Sequence, residues 1–458
     1  MVGHTAEAMR QPSQKEHPLK SFTIFSSMTV VIGIVIGIGI FRLPPIVAAN
    51  SVNELQFMLF WLAGGLISLT GALCYAELSS SMPDAGGEYF FLRKAFGPAT
   101  GFFLSWGRMT VIQTGSVALV AFILGDYATV ILDLGPYSSS LYAAAVVIVL
   151  TGLNILGTVH SRNTQNILAS VIIITLLAVS VFGLLNLSGE GAVSGLTLSG
   201  RNTELFSGGA PGLAMIFVLL TYGGWSEAAY LTGELHNVKR NIVRALVMGI
   251  VVITTLYILI NLAYLHVLGF EALRESQTVG FDLTEKIFGP GASVLVVIIV
   301  VIAALSTANA TIITGARTNY AIGRDFALLG FMGRWNTRRN SPVNALIFQG
   351  VIALVLVGIG AWSQQAVSTM VDYTAPVFWT FILLTTVSLF VFRFRKDHVP
   401  GSYRVPLYPL PPVLFLLACI YMLYSSLVFT GAGAIAGAGI LVAGVPVYFL
   451  ALKYHGPK

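Results

Sequence analysis

Charge is what this chain has least of. Only 10% of its 458 residues are Asp, Glu, Lys or Arg, while 56% are hydrophobic. A soluble domain carries about 25% charged residues, so most positions here cannot face water. Polar stretches long enough for a soluble domain are missing too, because apolar runs fill nearly the whole chain. Cysteine is almost absent. Cys74 and Cys419 both fall inside apolar runs, which argues against a disulfide framework and for two small buried side chains. His160, His236 and His266 stand at separate run ends without a partner at ligand spacing, so no metal, cofactor or catalytic constellation is expected. The continuous polar lining or ring of like charge that a channel requires is also lacking.

What the chain does have is about twelve apolar runs, each long enough for a hydrocarbon core that needs roughly 20 residues. Their limits are 22–50, 55–81, 99–131, 138–158, 164–187, 208–232, 241–266, 291–322, 343–361, 371–394, 409–429 and 431–452. This is the pattern of an all-α integral membrane protein. The polar segment 1–21 reads as a cytosolic tail, and the run after it is too long for a signal peptide. With the N-terminus inside, most of the 25 Lys and Arg residues fall in cytosolic segments. Outside segments hold only Arg42, Arg201, Arg274 and Lys286, and Arg108 lies within the third run. That bias follows the positive-inside rule and places both termini in the cytosol of a cell-membrane protein. The net charge of +6 therefore reflects inner loops, not a nucleic-acid partner.

Two runs are interrupted by glycine. The first carries Gly37-Ile38-Gly39 and the sixth Gly223-Gly224. An unpartnered backbone group in hydrocarbon costs several kcal/mol, so a spanning helix breaks only beside a cavity or ligand. Breaks at corresponding places in two halves point to a secondary transporter's midplane site. They stand five spans apart, an odd number, so the second copy enters from the opposite side. The expectation is a 5+5 inverted repeat, with 22–187 and 208–394 as its halves and 409–452 outside it. In the first break, the inner half-helix ends near Ile36 and presents carbonyls such as that of Val35. The outer half begins near Gly39 and offers the amides of Ile38, Gly39 and Ile40, a positive helix end suited to an anion. The alternative for these glycines is close helix packing. In the second break the outer half-helix ends near Leu220, and its carbonyls suit an ammonium group. Together the breaks fit a zwitterion.

The residues resemble the amino acid–polyamine–organocation transporter family, close to its L-type branch and its bacterial amino acid permeases. The segments that carry the resemblance are Ile34–Phe41, Pro83–Trp106, Thr221–Ile242, Gly315–Asp325 and Tyr403–Ser426. It implies a leucine-transporter-like fold with helices one and six unwound at mid-membrane, and an amino acid substrate. It implies that the amides hold the α-carboxylate, and that the carbonyls of Val35, Leu220 and Gly223 surround the α-amino group. Many L-type relatives place Phe at the position of Leu220 as a gate, so the gate here is smaller. Several relatives carry Lys seven residues after the position of Gln165, where this chain has Ile172. Animal L-type relatives bind a second glycoprotein through an external cysteine. Neither cysteine here is external, so a monomer or weak homodimer without a disulfide-linked partner is expected.

Several polar residues within the runs carry open readings. The substrate-binding set is Val35, Gly37, Ile38, Gly39, Leu220, Thr221 and Gly223, with Tyr222 and Glu227 as gate or coupling residues. Glu227 is either a proton carrier or cation-binding wall, or a carboxylate settled at a positive helix end. Glu77, Glu234, Arg317 and Arg324 read as gate or loop ion pairs near the inner helix ends. Arg108 reads as a snorkelling side chain, and Asp126 and Asp372 as wet outer residues. Ser306, Thr307 and Thr311 offer hydroxyls for a sodium ion or serve as helix-packing glue. The expected activity is transport of neutral L-amino acids by alternating access, as exchanger or proton symporter. A cationic amino acid or polyamine carrier and a non-transporting amino acid sensor are the alternatives.

Overall fold

Apolar helices account for almost all of the computed structural model, which describes residues 18–186, 211–362, 366–396, 400–430 and 432–454. Most of the expected tail, with Arg10 and Lys15, lies outside the described residues, as do Arg201, Lys458 and the side chain of Asp372. Among the described residues, twelve helices are long and apolar enough to cross a bilayer. These spans, one to twelve, are Ile24–Arg42, Glu54–Ser81, Pro98–Ile131, Ser138–Leu156, Thr158–Leu184, Pro211–Leu231, Val238–Leu268, Val294–Asp325, Val343–Trp362, Thr374–Phe394, Leu410–Val428 and Gly433–Lys453. The chain is a multi-pass membrane protein.

Caps and prolines explain several limits. Thr23 accepts from the Ser26 amide at 3.2 Å at the start of span one, and Asn53 from the Gln56 amide at 2.8 Å at the start of span two. The run expected over 22–50 divides, because Pro44 and Pro45 open a separate short helix, Pro44–Ala49. Two apolar clusters make up the interior. One gathers spans one, two, six and seven, the other spans three, four and nine, and span eight contributes to both. Span twelve is the least buried of the set, with 17% of its window inside the protein.

The connection Pro83–Pro98 is not a solvated loop. It holds a helix, Glu88–Phe96, whose Glu88, Tyr89, Phe91 and Leu92 are buried. Gly87 starts that helix with φ +48°, and a Cβ there would come within 2.8 Å of the Tyr230 ring. Only glycine fits such a turn without strain.

The face of the bundle from which span one starts is closed. The Ser21 and Phe22 amides donate to the Glu234 carbonyl at 2.8 and 3.0 Å, and the His236 amide donates to that of Phe22 at 3.1 Å. Arg317 holds the Glu234 carboxylate at 2.5 Å, with both side chains almost fully buried. At the same face Arg324 pairs with Asp84 and Arg393 with Glu77. The four charged residues expected in gate or loop pairs are thus all engaged.

Candidate functional site at the two helix breaks

The first break is a three-residue turn. Span one keeps helical geometry to Val35, then Ile36 adopts φ −79°, ψ 78°, and the Gly37 amide donates back to Val35 at 2.8 Å. This is an inverse γ-turn. Helix resumes at Gly39. Among the described residues, the amides of Ile38, Gly39 and Ile40 have no backbone acceptor, as a fresh helix start requires.

The second break follows Thr221, where the α-helical part of span six stops. The Gly223 amide closes on the Leu220 carbonyl at 3.1 Å, and Gly224 takes φ +107°. A Cβ at Gly224 would fall 2.3 Å from the Ile34 side chain, so this glycine answers both a left-handed backbone and a close approach of span one. Beyond it, Trp225–Leu231 is a 3₁₀ helix, tighter than the α-helical half expected from the sequence, and every residue in it is buried.

The two breaks touch. A Cβ at Gly39 would meet the Thr221 side chain at 3.1 Å, and one at Gly37 would meet Thr307 of span eight at 3.3 Å. Tyr257 of span seven ties the pair together from behind. Its hydroxyl donates to the Val35 carbonyl at 2.9 Å and lies 3.2 Å from that of Thr221, one acceptor from each break. Val35 therefore already serves Gly37 and Tyr257, and Leu220 serves Gly223. Leu220 itself is 46% exposed, whereas Thr221 is buried.

Tyr222 and Glu227 are both buried and engaged. Tyr222 is fully buried, its hydroxyl donating to the Trp61 carbonyl at 3.0 Å. Glu227 is neither free in the cavity wall nor merely parked at a helix end. Both its oxygens are taken by the Arg108 guanidinium, at 2.9 and 2.8 Å. Arg108 does not snorkel: it is 2% exposed, lies 4.1 Å from the Tyr230 ring centre and donates to Thr318 at 3.2 Å. A π-helical turn over Arg108–Ile112 widens span three where the guanidinium leaves it. Gln113 adds a contact to Glu227 at 3.3 Å.

The hydroxyls considered for sodium are engaged in helix contacts. Gln165 donates to Ser306 at 2.9 Å, Thr307 to the Gly33 carbonyl at 2.9 Å, and Thr311 to the Thr307 carbonyl at 2.7 Å. Among the described residues no group of His, Cys, Asp and Glu could hold a metal ion. Asp126 is exposed and accepts from Ser139 at 2.6 Å.

The model of the amino acid permease family matches residues 22–451. The chain belongs to that family. The permease is 30% identical to the b(0,+)-type amino acid transporter 1 of Mus musculus, over 98% of this chain and 91% of that protein. It is 28% identical to the large neutral amino acids transporter small subunit 2 of Homo sapiens, over 96% of this chain and 82% of that protein. Family and relatives are carriers, and this permease is a transporter rather than an enzyme.

Two functional candidates and one partnership escaped the sequence reading. Tyr257 is one tyrosine in an apolar run, and its partners are backbone carbonyls that leave no trace in a sequence. Glu88 lay in a segment punctuated by glycine and proline. The available signal was its apolar company, Tyr89-Phe90-Phe91-Leu92, which is out of place in a wet loop. The partner of Arg108 lies 119 residues away, beyond any local periodicity.

Proposed function

We propose that this permease is a secondary active transporter of neutral L-amino acids across the cytoplasmic membrane, working by alternating access as an exchanger or proton symporter. In this reading the two interrupted spans belong to a 5+5 inverted repeat, both termini are cytosolic, and the closed face is the cytosolic one. The positive-inside distribution of Lys and Arg supports that orientation. The amides of Ile38, Gly39 and Ile40 receive the α-carboxylate. The α-amino group takes carbonyls of the two breaks, with Tyr257 yielding its place on Val35 or Thr221.

One observation carries the choice of neutral side chains. Glu227 is the carboxylate beside the second break, and Arg108 consumes its charge through two hydrogen bonds. A lysine or arginine side chain would then find the carboxylate beside the break already paired, and an unpaired buried charge is expensive. The human relative named above is called a transporter of large neutral amino acids, which agrees with this reading. In this reading the permease is a monomer or weak homodimer embedded in lipid, and the burial of Cys74 and Cys419 speaks against a disulfide-linked partner.

The test is uptake by proteoliposomes, with and without preloaded amino acid, under imposed proton or sodium gradients. Neutral amino acids should enter. Methyl esters and N-acetyl derivatives should compete at least about tenfold worse, since one charge-assisted hydrogen bond contributes roughly 1.5–3 kcal/mol. Equal competition by amines without a carboxylate would overturn the reading.

A further inference from the structure

Beneath the second break lies a buried polar cluster with more acid than base. Its members come from four elements: Tyr75 from span two, Glu88 from the helix after it, Arg108 from span three, and Glu227 and Tyr230 from span six. Glu88 and Arg108 are each 2% exposed and Glu227 5%. The guanidinium closes on both oxygens of Glu227 but stands 3.7 Å from Glu88. Glu88 instead accepts from the Tyr75 hydroxyl at 2.6 Å on one oxygen and from the Tyr230 hydroxyl at 2.7 Å on the other.

Two carboxylates and one guanidinium leave a surplus negative charge in a buried site. Burying an uncompensated ion costs several kcal/mol, and a single proton removes the surplus. Both oxygens of Glu227 are already held by the cation, so the surplus falls on Glu88. Burial pushes the Glu88 carboxyl above its ordinary range, with Glu227 adding to the effect and Arg108 opposing it.

We propose that Glu88 is the coupling-proton site of this permease, loaded while Arg108 is held by Glu227 and discharged when Arg108 turns to Glu88. The proposal rests on the amino acid transport reading and names its coupling ion. Glu227 sits three residues after Gly224, on the segment that must move if the closed face opens. Movement of that segment withdraws Glu227 from Arg108, and the guanidinium has Glu88 as its next acceptor. A cation at hydrogen-bond distance favours the ionised carboxylate, so the proton leaves to water on the newly opened side. With Glu88 ionised both phenols donate to it; with Glu88 protonated one phenol turns its hydroxyl to accept from the carboxyl O–H while the other still donates, so the side chain is held in either state.

The groups that face Glu88 are the four already named. The neighbouring charges have other partners: Asp325 is held by Arg93 and Tyr89, Arg324 by Asp84, and Arg393 of span ten by Glu77.

The experiment reconstitutes the wild-type permease in vesicles that enclose a pH-sensitive dye, and follows labelled alanine or leucine together with lumenal pH. Inward substrate flux should acidify the lumen. In Glu88→Gln the dye signal is lost and the pH profile of uptake flattens. Tyr75→Phe, a milder change, removes a donor that favours the ionised form and so shifts the midpoint of that profile to higher pH. Substrate entry with a silent dye in the wild type overturns the proton site alone. Proton flux that survives Glu88→Gln overturns it too, and loss in Glu227→Gln instead would transfer the role to Glu227. If no amino acid enters wild-type vesicles, the transport reading falls and the proton site falls with it.

Discussion

Arg108 and Glu227 meet in a two-pronged ion pair, with N–O distances of 2.9 and 2.8 Å and both side chains nearly inaccessible. Paired forks of this kind fix geometry as well as charge. They join the middle of span three to the segment just past the break in span six.

Selectivity should therefore be indifferent to the charge of Glu227. In a competition panel of alanine, leucine, phenylalanine, glutamate, lysine and arginine, neutral substrates should win in both wild type and Glu227→Gln. Lysine or arginine winning in wild type and losing in the variant would show that the Glu227 charge reaches the substrate.

Stability should depend on the pair far more than selectivity does. Arg108→Ala leaves Glu227 and Glu88 together without a cation, and breaking a buried pair from one side costs roughly 3–5 kcal/mol. The double variant Arg108→Ala with Glu227→Gln should recover part of that loss. Thermal unfolding in detergent measures both, and equal melting of the single and double variants would refute the coupling.

Substrate affinity should respond separately to the two breaks. Gly39→Val forces a branched side chain against Thr221 and into the approach to the open amides, so substrate-induced thermal stabilisation should vanish while the protein still folds. Tyr257→Phe removes one donor shared by two carbonyls, a change of about 0.5–1.5 kcal/mol, and should alter affinity by a factor between roughly two and ten. Full binding by a folded Gly39→Val protein would return the glycines to a packing role.

Access to the closed face should depend on Arg317. In a background where Cys74 and Cys419 are replaced by serine, a Thr311→Cys probe should be shielded from thiol reagents applied at the N-terminal face. Adding Arg317→Ala leaves Glu234 buried without its partner and should increase labelling from that face. Unchanged labelling would mean that the backbone pairing of Phe22 and Leu235 holds the face closed by itself.

The spans and both breaks were readable from the sequence because each rests on local pattern: long apolar runs, and glycine where a helix former would otherwise stand. The ion pairs of Glu77, Glu234, Arg317 and Arg324 were anticipated as a class for a similar reason, since charges at helix ends need partners. The separate helix Pro44–Ala49 was absorbed into its neighbour because its residues are equally apolar. The 3₁₀ geometry of Trp225–Leu231 was hidden because neither its composition nor its period distinguishes it from α-helix. Arg108 was misplaced because a helix sequence gives depth without direction, and only packing brings spans three and six together. Glu88 and Tyr257 share that cause, as their roles come from contacts 142 and 222 residues distant.

Phe22 and Leu235 pair through backbone, at the entrance to span one and the exit from span six. The two interrupted spans are thereby coupled as a single lever whose fulcrum is made of main-chain bonds, indifferent to side-chain identity. A substitution that tilts the end of span six will drag the base of span one with it. Variants chosen for a new substrate preference in span six will therefore arrive with an altered turnover rate, even when every residue of span one is unchanged.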